Sequence, residues 1–212
     1  MNWTISAFEY TVAYFSSPLG IVELIATALL LINVYLLSRA NIWNYIPGII
    51  GVILYGWIFY QSKLYSDTIL QWAFYVPAQI IGWWYWMYGG KSGKDTLEVT
   101  SMTWPAFFVV LLLTWPAIQL FGYFMYSKTD ASFPYWDSAI ALLSVVATVL
   151  MTKKYIENWY LWLAVDVIAV PIYYLKGLYV SSGLYVVFFC LSVYGLIKWS
   201  NLRQKERYAQ AV

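Results

Sequence analysis

Long apolar runs, each broken by a short polar cluster, recur from one end of this chain to the other. About 17–25 predominantly apolar residues are needed for a helix to cross the hydrocarbon core of a bilayer. The charged breaks place such helices near 20–38, 44–61, 66–88, 104–126, 135–152, 158–175 and 178–199. Pro47, Pro77, Pro116 and Pro171 fall inside these spans, where neighbouring helices must re-satisfy the backbone groups that proline frees.

The pattern also repeats. Shifting the chain by 114 residues lays Glu23 on Asp137, Arg39 on Lys153, Asn44-Tyr45 on Asn158-Trp159, and Phe59-Tyr60 on Tyr173-Tyr174. The register continues from Lys63-Leu64-Tyr65 to Gly177-Leu178-Tyr179, and with one residue of slippage Gly82 meets Gly195 and Trp86 meets Trp199. Matched acids, bases and asparagines at one shift are not expected of apolar segments aligned by chance. Two three-helix units in direct succession would be inverted, and the extra fourth span makes them parallel, an arrangement that transporters use to build a site between repeats. The expected fold is therefore an all-α integral membrane protein with seven transmembrane helices in a 3+1+3 parallel pseudo-repeat. Residues 1–212 form one domain, with repeat one near 20–88, a linker helix near 104–126 and repeat two near 135–199.

Composition agrees. The 212 residues are 62% hydrophobic and only 10% charged, with mean hydropathy +0.64, where soluble domains run near 25% charged. The stretch before Pro18 lacks the basic start of a cleavable leader. The net charge of +2 says little, but its distribution orients the chain. Arg39, Lys91, Lys94, Lys153, Lys154, Lys198, Arg203, Lys205 and Arg207 fall on one side, and Lys63, Lys128 and Lys176 on the other. The excess of basic residues belongs in the cytoplasm, which places the C-terminus inside and the N-terminus outside. Trp and Tyr at span ends, Trp43, Trp57, Trp84, Trp86, Trp104, Tyr155 and Trp199, mostly read as interfacial belts.

The absences narrow function. There is no histidine, and the single cysteine, Cys190, lies within an apolar run. A His/Cys metal site, a Ser-His-Asp triad, a disulfide framework and a His-ligated haem are excluded. No phosphate-binding glycine loop occurs, so no cofactor is expected and moving or sensing a ligand is favoured over chemistry on it.

One polar group lies deep within a span. A carboxylate at the centre of a membrane helix costs about 2.5–3.5 kcal/mol on insertion scales, and Asp166 sits in the middle of the sixth span. Trp159, Trp162, Asp166, Val170 and Tyr173 follow 3, 4, 4, 3 spacing, which is one helical face. No Lys or Arg lies at comparable depth, so either a neutral donor on another helix or a cationic ligand balances the charge, the latter aided by cation–π attraction to Trp162. The third span carries a second stripe, Gln71, Tyr75, Gln79 (or Ala78) and Gly82, with Phe74 beside it. Its amides must point toward other helices or a wet cavity. Asn33 and Tyr55 are further candidates, whereas Glu23 and Asp137, one turn inside the outer helix ends, read as structural.

Over nearly its whole length the chain resembles the Pnu vitamin transporters, the PnuC family. The motifs are Tyr65-Ser66-Asp67, Leu70-Gln71, Phe74, Gly82-Trp83 and Trp86, then Pro134 and Trp136-Asp137-Ser138. The most specific is Met151-Thr152-Lys153-Lys154-Tyr155-Ile156-Glu157-Asn158-Trp159, followed by Trp162 and Asp166. The resemblance implies a 3+1+3 fold related to the SWEET sugar transporters with full-length parallel halves, a homotrimer in the bacterial inner membrane, and facilitated diffusion of a B vitamin. It also implies a cytoplasmic kinase that traps the substrate, and substrates such as nicotinamide riboside or thiamine. The family's W-x-x-W-x-x-x-N motif lands on Trp159, Trp162 and position 166, where this chain has Asp instead of the usual Asn. A carboxylate can only accept hydrogen bonds. That suits the cationic thiazolium and amino-pyrimidine of thiamine, so thiamine is favoured, with nicotinamide riboside as the alternative. Trp162 would stack on the ring, Asp166 would fix its polar edge, and Gln71 and Gln79 would grip from the other half. A retinal photoreceptor lacks its mid-helix lysine here, a membrane enzyme its paired groups, and a receptor its long cytoplasmic loops. A sugar carrier gains little from a deep carboxylate. Nothing points to nucleic acid.

Overall fold

A computed structural model describes residues 16–63, 65–90, 97–176 and 179–211. Lys91 and Lys94, used above for orientation, lie outside the described residues, as do Leu64, Gly177-Leu178 and the segment before Ser16; the side chains of Tyr65, Ser66, Tyr179 and Arg207 do too. The described residues are helical apart from turns and one isolated parallel bridge, Thr100 to Tyr155.

Helix α1 (Pro18–Ser38) starts where the Ser17 hydroxyl accepts from the Gly20 amide at 3.1 Å, with Pro18 preset for the first turn. It ends at Ala40, whose φ of 52° reverses the chain. A 3-10 turn (Ile42–Asn44), capped by Asn41, leads into α2 (Tyr45–Gln61). Pro47 therefore lies in a first turn, where no intrahelical hydrogen bond is lost, and it does not kink a span.

The third expected span is not one α-helix. It comprises α3 (Tyr65–Ile69), a π-helical segment (Leu70–Tyr75) and α4 (Val76–Tyr88). Pro77 stands at the start of α4, and the wider π turn just before it absorbs the ladder that the missing N–H interrupts. Then follow α5 (Trp104–Lys128), α6 (Pro134–Thr152), α7 (Asn158–Leu175) and α8 (Tyr179–Ala211). Among the described residues six helices are long and apolar enough to cross a membrane, and the interrupted third run is not among them. The last span, expected near 178–199, is longer as a helix: α8 continues to Ala211, because Leu202, Arg203, Gln204, Lys205 and Glu206 are good helix formers that need no apolar cover.

The helices close into a ring. α1 packs on α2, α2 on α3, the π segment and α4, α4 on α6, α6 on α7, α7 on α8, and α8 returns to α1. α5 lies outside the ring against α6. Among the described residues no helix backbone approaches another across the ring. The outer faces are apolar, with Leu112 and Leu120 of α5 fully in the open.

Candidate functional site

At the end of the ring bearing Arg39, Lys153 and Lys198, two contacts between helices match one another. Trp86 of α4 donates its indole N–H to the Met151 carbonyl of α6 at 3.2 Å. Trp199 of α8 donates to the Leu37 carbonyl of α1 at 3.0 Å. Leu37 and Met151 are separated by the 114-residue shift, and the two tryptophans by that shift less one. The rings beneath them match as well: Tyr45 meets Trp86 edge-on at 5.2 Å, and Trp159 meets Trp199 edge-on at 5.5 Å. Gly82 lies against Tyr45 and Gly195 against Trp159, each too close for a Cβ. Ala40 and Lys154 share the same left-handed turn, with φ of 52° and 56°. Together with Val99 and Ile156 these side chains form a buried aromatic plug, so Trp86 and Trp199, expected at the membrane interface, lie instead inside the protein at 1% and 0% exposure.

A strap crosses this end. The amide of Thr100 donates to the Lys154 carbonyl, and Ile156 donates back to Thr100. Glu157 accepts from the Ser101 hydroxyl at 2.7 Å and the Met102 amide at 3.0 Å, just ahead of α5. Lys154 donates to the Leu97 carbonyl at 2.6 Å and lies 4.4 Å from the Trp86 ring centre. Burial there lowers its pKa to about 8, although nearby Glu206 pulls the other way. At the opposite end Asp137 is ion-paired with Lys176 at 2.6 Å.

Trp159 belongs to the plug: it is 1% exposed, and its indole N–H has no partner. One turn on, Trp162 touches all three apolar clusters of the interior, and its N–H is also unpartnered. Asp166, one turn further, is 2% exposed and accepts a hydrogen bond from the Ser192 hydroxyl of α8 at 3.0 Å. This is the neutral internal donor left open by the sequence. Tyr185 lies near Asp166 and Tyr75, with its ring 5.1 Å from that of Tyr173 and tilted 50° to it. Aromatic hydroxyls thus stand beyond the carboxylate as the plug stands before it.

From the other half, Gln79 of α4 is 7% exposed and its amide oxygen has no partner. Its amide nitrogen and that of Asn33 flank Gly48 of α2. Asn33 donates to the Asn44 carbonyl at 2.9 Å and to Oδ1 at 3.3 Å. Gln71, Phe74 and Tyr75 are half-buried in the π segment, with Phe74 and Tyr75 in edge contact at 5.0 Å. The structure therefore brings Trp162, Asp166, Ser192, Tyr173 and Tyr185 together, and sets Gln79 at the matching position in the first half. Ser192 carries no chemical signal of its own in the sequence, but the 113-residue shift lays it on Gln79. Among the described residues no cluster of His, Cys, Asp or Glu could hold a metal ion. One carboxylate, ring faces, hydroxyls and an amide can bind a flat polar ligand; they lack the paired acid and base that proton-transfer chemistry uses.

Residues 20–201 match the profile of the family described as nicotinamide mononucleotide transporter. The nicotinamide riboside transporter PnuC of Escherichia coli (strain K12) is 32% identical, over 90% of this chain and 89% of that protein. The nicotinamide riboside transporter PnuC of Neisseria mucosa is 31% identical, over 80% of this chain and 68% of that protein. The crystal structure of a vitamin B3 transporter PnuC superposes with a TM-score of 0.72 at 24% identity, covering 96% of this chain and 91% of the other, and shows the same fold.

Proposed function

The chain belongs to the nicotinamide mononucleotide transporter family, and we propose that this multi-pass membrane transporter carries nicotinamide riboside by facilitated diffusion. The relatives named for that substrate outweigh the preference for thiamine drawn from Asp166 alone. A carboxylate is compatible with the riboside, whose pyridinium is cationic and whose ribose hydroxyls donate. Asp166, buried in the ring between Trp162 and Ser192, is the observation that carries the assignment of the site.

In this reading the chain is one transmembrane domain, with repeat one near 20–88, the linker helix near 104–126 and repeat two near 135–199. The interrupted run of α3, the π segment and α4 is the third of seven spans. The paired Trp86 and Trp199 clasps support two parallel halves. Rocking of the halves then exposes the site to either side. The basic plug end faces the cytoplasm of a bacterium, with the C-terminus inside. By family resemblance the unit is a homotrimer whose substrate is trapped by a cytoplasmic kinase. Trp162 stacks on the pyridinium and Asp166 accepts from the ribose; Gln79 contacts the far edge, with Gln71, Phe74 and Tyr75 lining the approach, and Trp159 supports the stack from the plug.

Uptake of labelled nicotinamide riboside into proteoliposomes tests this. Trp162→Ala and Asp166→Ala should each cut the initial rate at least about tenfold, the loss of one charge-assisted hydrogen bond or one stacked ring. Uptake unchanged in both variants contradicts the site. Thiamine remains a second reading because of Asp166, and its uptake in place of the riboside would establish it.

A further inference from the structure

The ring of helices has two seams between its proposed halves, α4 against α6 and α8 against α1. Each carries one indole clasp at the plug end, Trp86 to Met151 and Trp199 to Leu37. The likeness stops there, because the strap from Leu97 to Met102 braces the first seam alone. The Leu97 amide donates back to the Trp86 carbonyl at 3.0 Å, and the Leu97 carbonyl accepts from Lys154. Thr100 donates to Lys154 and accepts from Ile156, while Glu157 holds Ser101 and Met102. The second seam lacks the residues that anchor a strap. The 114-residue shift lays Ala40 on Lys154 and Trp43 on Glu157. A methyl group thus replaces a buried ammonium, and an indole 61% exposed replaces a carboxylate 5% exposed. The chain past Trp199 runs straight on as α8 instead of turning back. Among the described residues, positions 36–44 share one hydrogen bond with helices other than α1 and α2, that of Trp199.

We infer that the strap makes the α4–α6 seam a hinge, and that the plug end opens at the α8–α1 seam alone. Each hydrogen bond kept makes local opening several-fold rarer, so the seam with a single clasp gives way first. The rocking is then lopsided. α1 and α2 swing away from α8, and the Trp199–Leu37 bond breaks in every cycle while Trp86 stays on Met151. α8 remains with the strapped body, since it packs on α7 and its Glu206 lies near Lys154. The inference rests on the two-halved reading above and says which side of the ring parts.

Residue-resolved hydrogen exchange of the purified protein in nanodiscs tests it at matched amides. Ala40 and Asn41 donate to Leu37 and Leu36 as Lys154 and Tyr155 donate to Met151 and Leu150, and none of these bonds involves the strap. After correction for intrinsic rates, the Ala40 and Asn41 amides should exchange at least about tenfold faster than their counterparts. Trp199→Phe should speed them at least about fivefold more, whereas Trp86→Phe should leave Lys154 and Tyr155 within about threefold of wild type. Equal or reversed rates in the wild type, or equal responses to the two substitutions, overturn the inference. A staple supplies the functional test. Thr100→Cys with Tyr155→Cys, in a Cys190→Ser background, joins the two residues of the isolated bridge, whose backbones stand within disulfide reach. Oxidation with copper phenanthroline should leave riboside uptake into proteoliposomes within about twofold of the dithiothreitol-reduced protein. Uptake that stops on oxidation and returns on reduction shows that the strap must release, and overturns the inference. Exchange decides alone if the double variant does not fold. If the wild type takes up no riboside, the substrate reading falls, and exchange still decides where the plug end opens.

Discussion

Three helical glycines offer a graded test of how the plug is packed. Replacing a helix-interior glycine by alanine gains about 1 kcal/mol of backbone propensity wherever the new methyl has room. At Gly183 of α8 nothing lies within 4 Å of the added Cβ, so Gly183→Ala should stabilise by about 0.5–1 kcal/mol. At Gly82 the methyl would lie 2.7 Å from the Tyr45 hydroxyl and 2.9 Å from Cε1, against a ring that is also fully buried and held by Trp86, but with a shallower overlap than at Gly195. The overpacking cost of about 1–3 kcal/mol then roughly cancels or modestly exceeds the gain. At Gly195 the methyl would fall inside the Trp159 indole, 2.6 Å from Cε2, and that ring is held by Trp199. A fully buried ring cannot withdraw, so Gly195→Ala should be destabilising by about 2 kcal/mol or more after the propensity gain. Thermal unfolding in detergent, followed by tryptophan fluorescence, should rank the variants Gly183→Ala, Gly82→Ala, Gly195→Ala from most to least stable. Equal melting temperatures for Gly183→Ala and Gly195→Ala would refute the packing argument.

Trp86→Phe and Trp199→Phe each delete one indole donor from equivalent clasps, and should lower stability by similar amounts of about 1–3 kcal/mol in chemical unfolding; a large disparity would count against the two-fold account. For Lys154 the folded state binds fewer protons than the unfolded one between pH 8 and 10.5, so stability should rise with pH across that window, by about 3 kcal/mol at most. Melting temperatures recorded from pH 7 to 10 should show that rise, Lys154→Met should abolish it, and an identical slope in the variant would sink the assignment. Asp166→Asn keeps an acceptor for Ser192 and adds a donor, so nicotinamide riboside affinity should change by no more than about threefold while any thiamine affinity falls at least tenfold. Equal losses for both ligands, measured calorimetrically, would mean that the charge at 166 does not discriminate.

Six of the seven expected spans were legible because a bilayer admits few lengths and the polar breaks are sharp: α7 was placed at its observed ends, Asn158 and Leu175. Gly82 against Tyr45 and Gly195 against Trp159 are two contacts at positions that the sequence shift of 113–114 residues lays on one another. The π segment was not legible, because no periodicity distinguishes a single wide turn; only Pro77 hinted at it. Periodicity put Trp159 and Asp166 on one helical face but did not say what faced each: Trp199 edge-on for one, the Ser192 hydroxyl for the other. Ser192 escaped notice because a serine in an apolar run looks like packing, and it acquires meaning only beside Asp166, to which it donates.

Calorimetric titration of the purified protein with nicotinamide riboside and, separately, thiamine tests the central claim most directly. The account predicts one riboside bound per chain, with binding abolished or weakened at least about tenfold by Trp162→Ala. Binding of thiamine alone, or of neither vitamin, would contradict it.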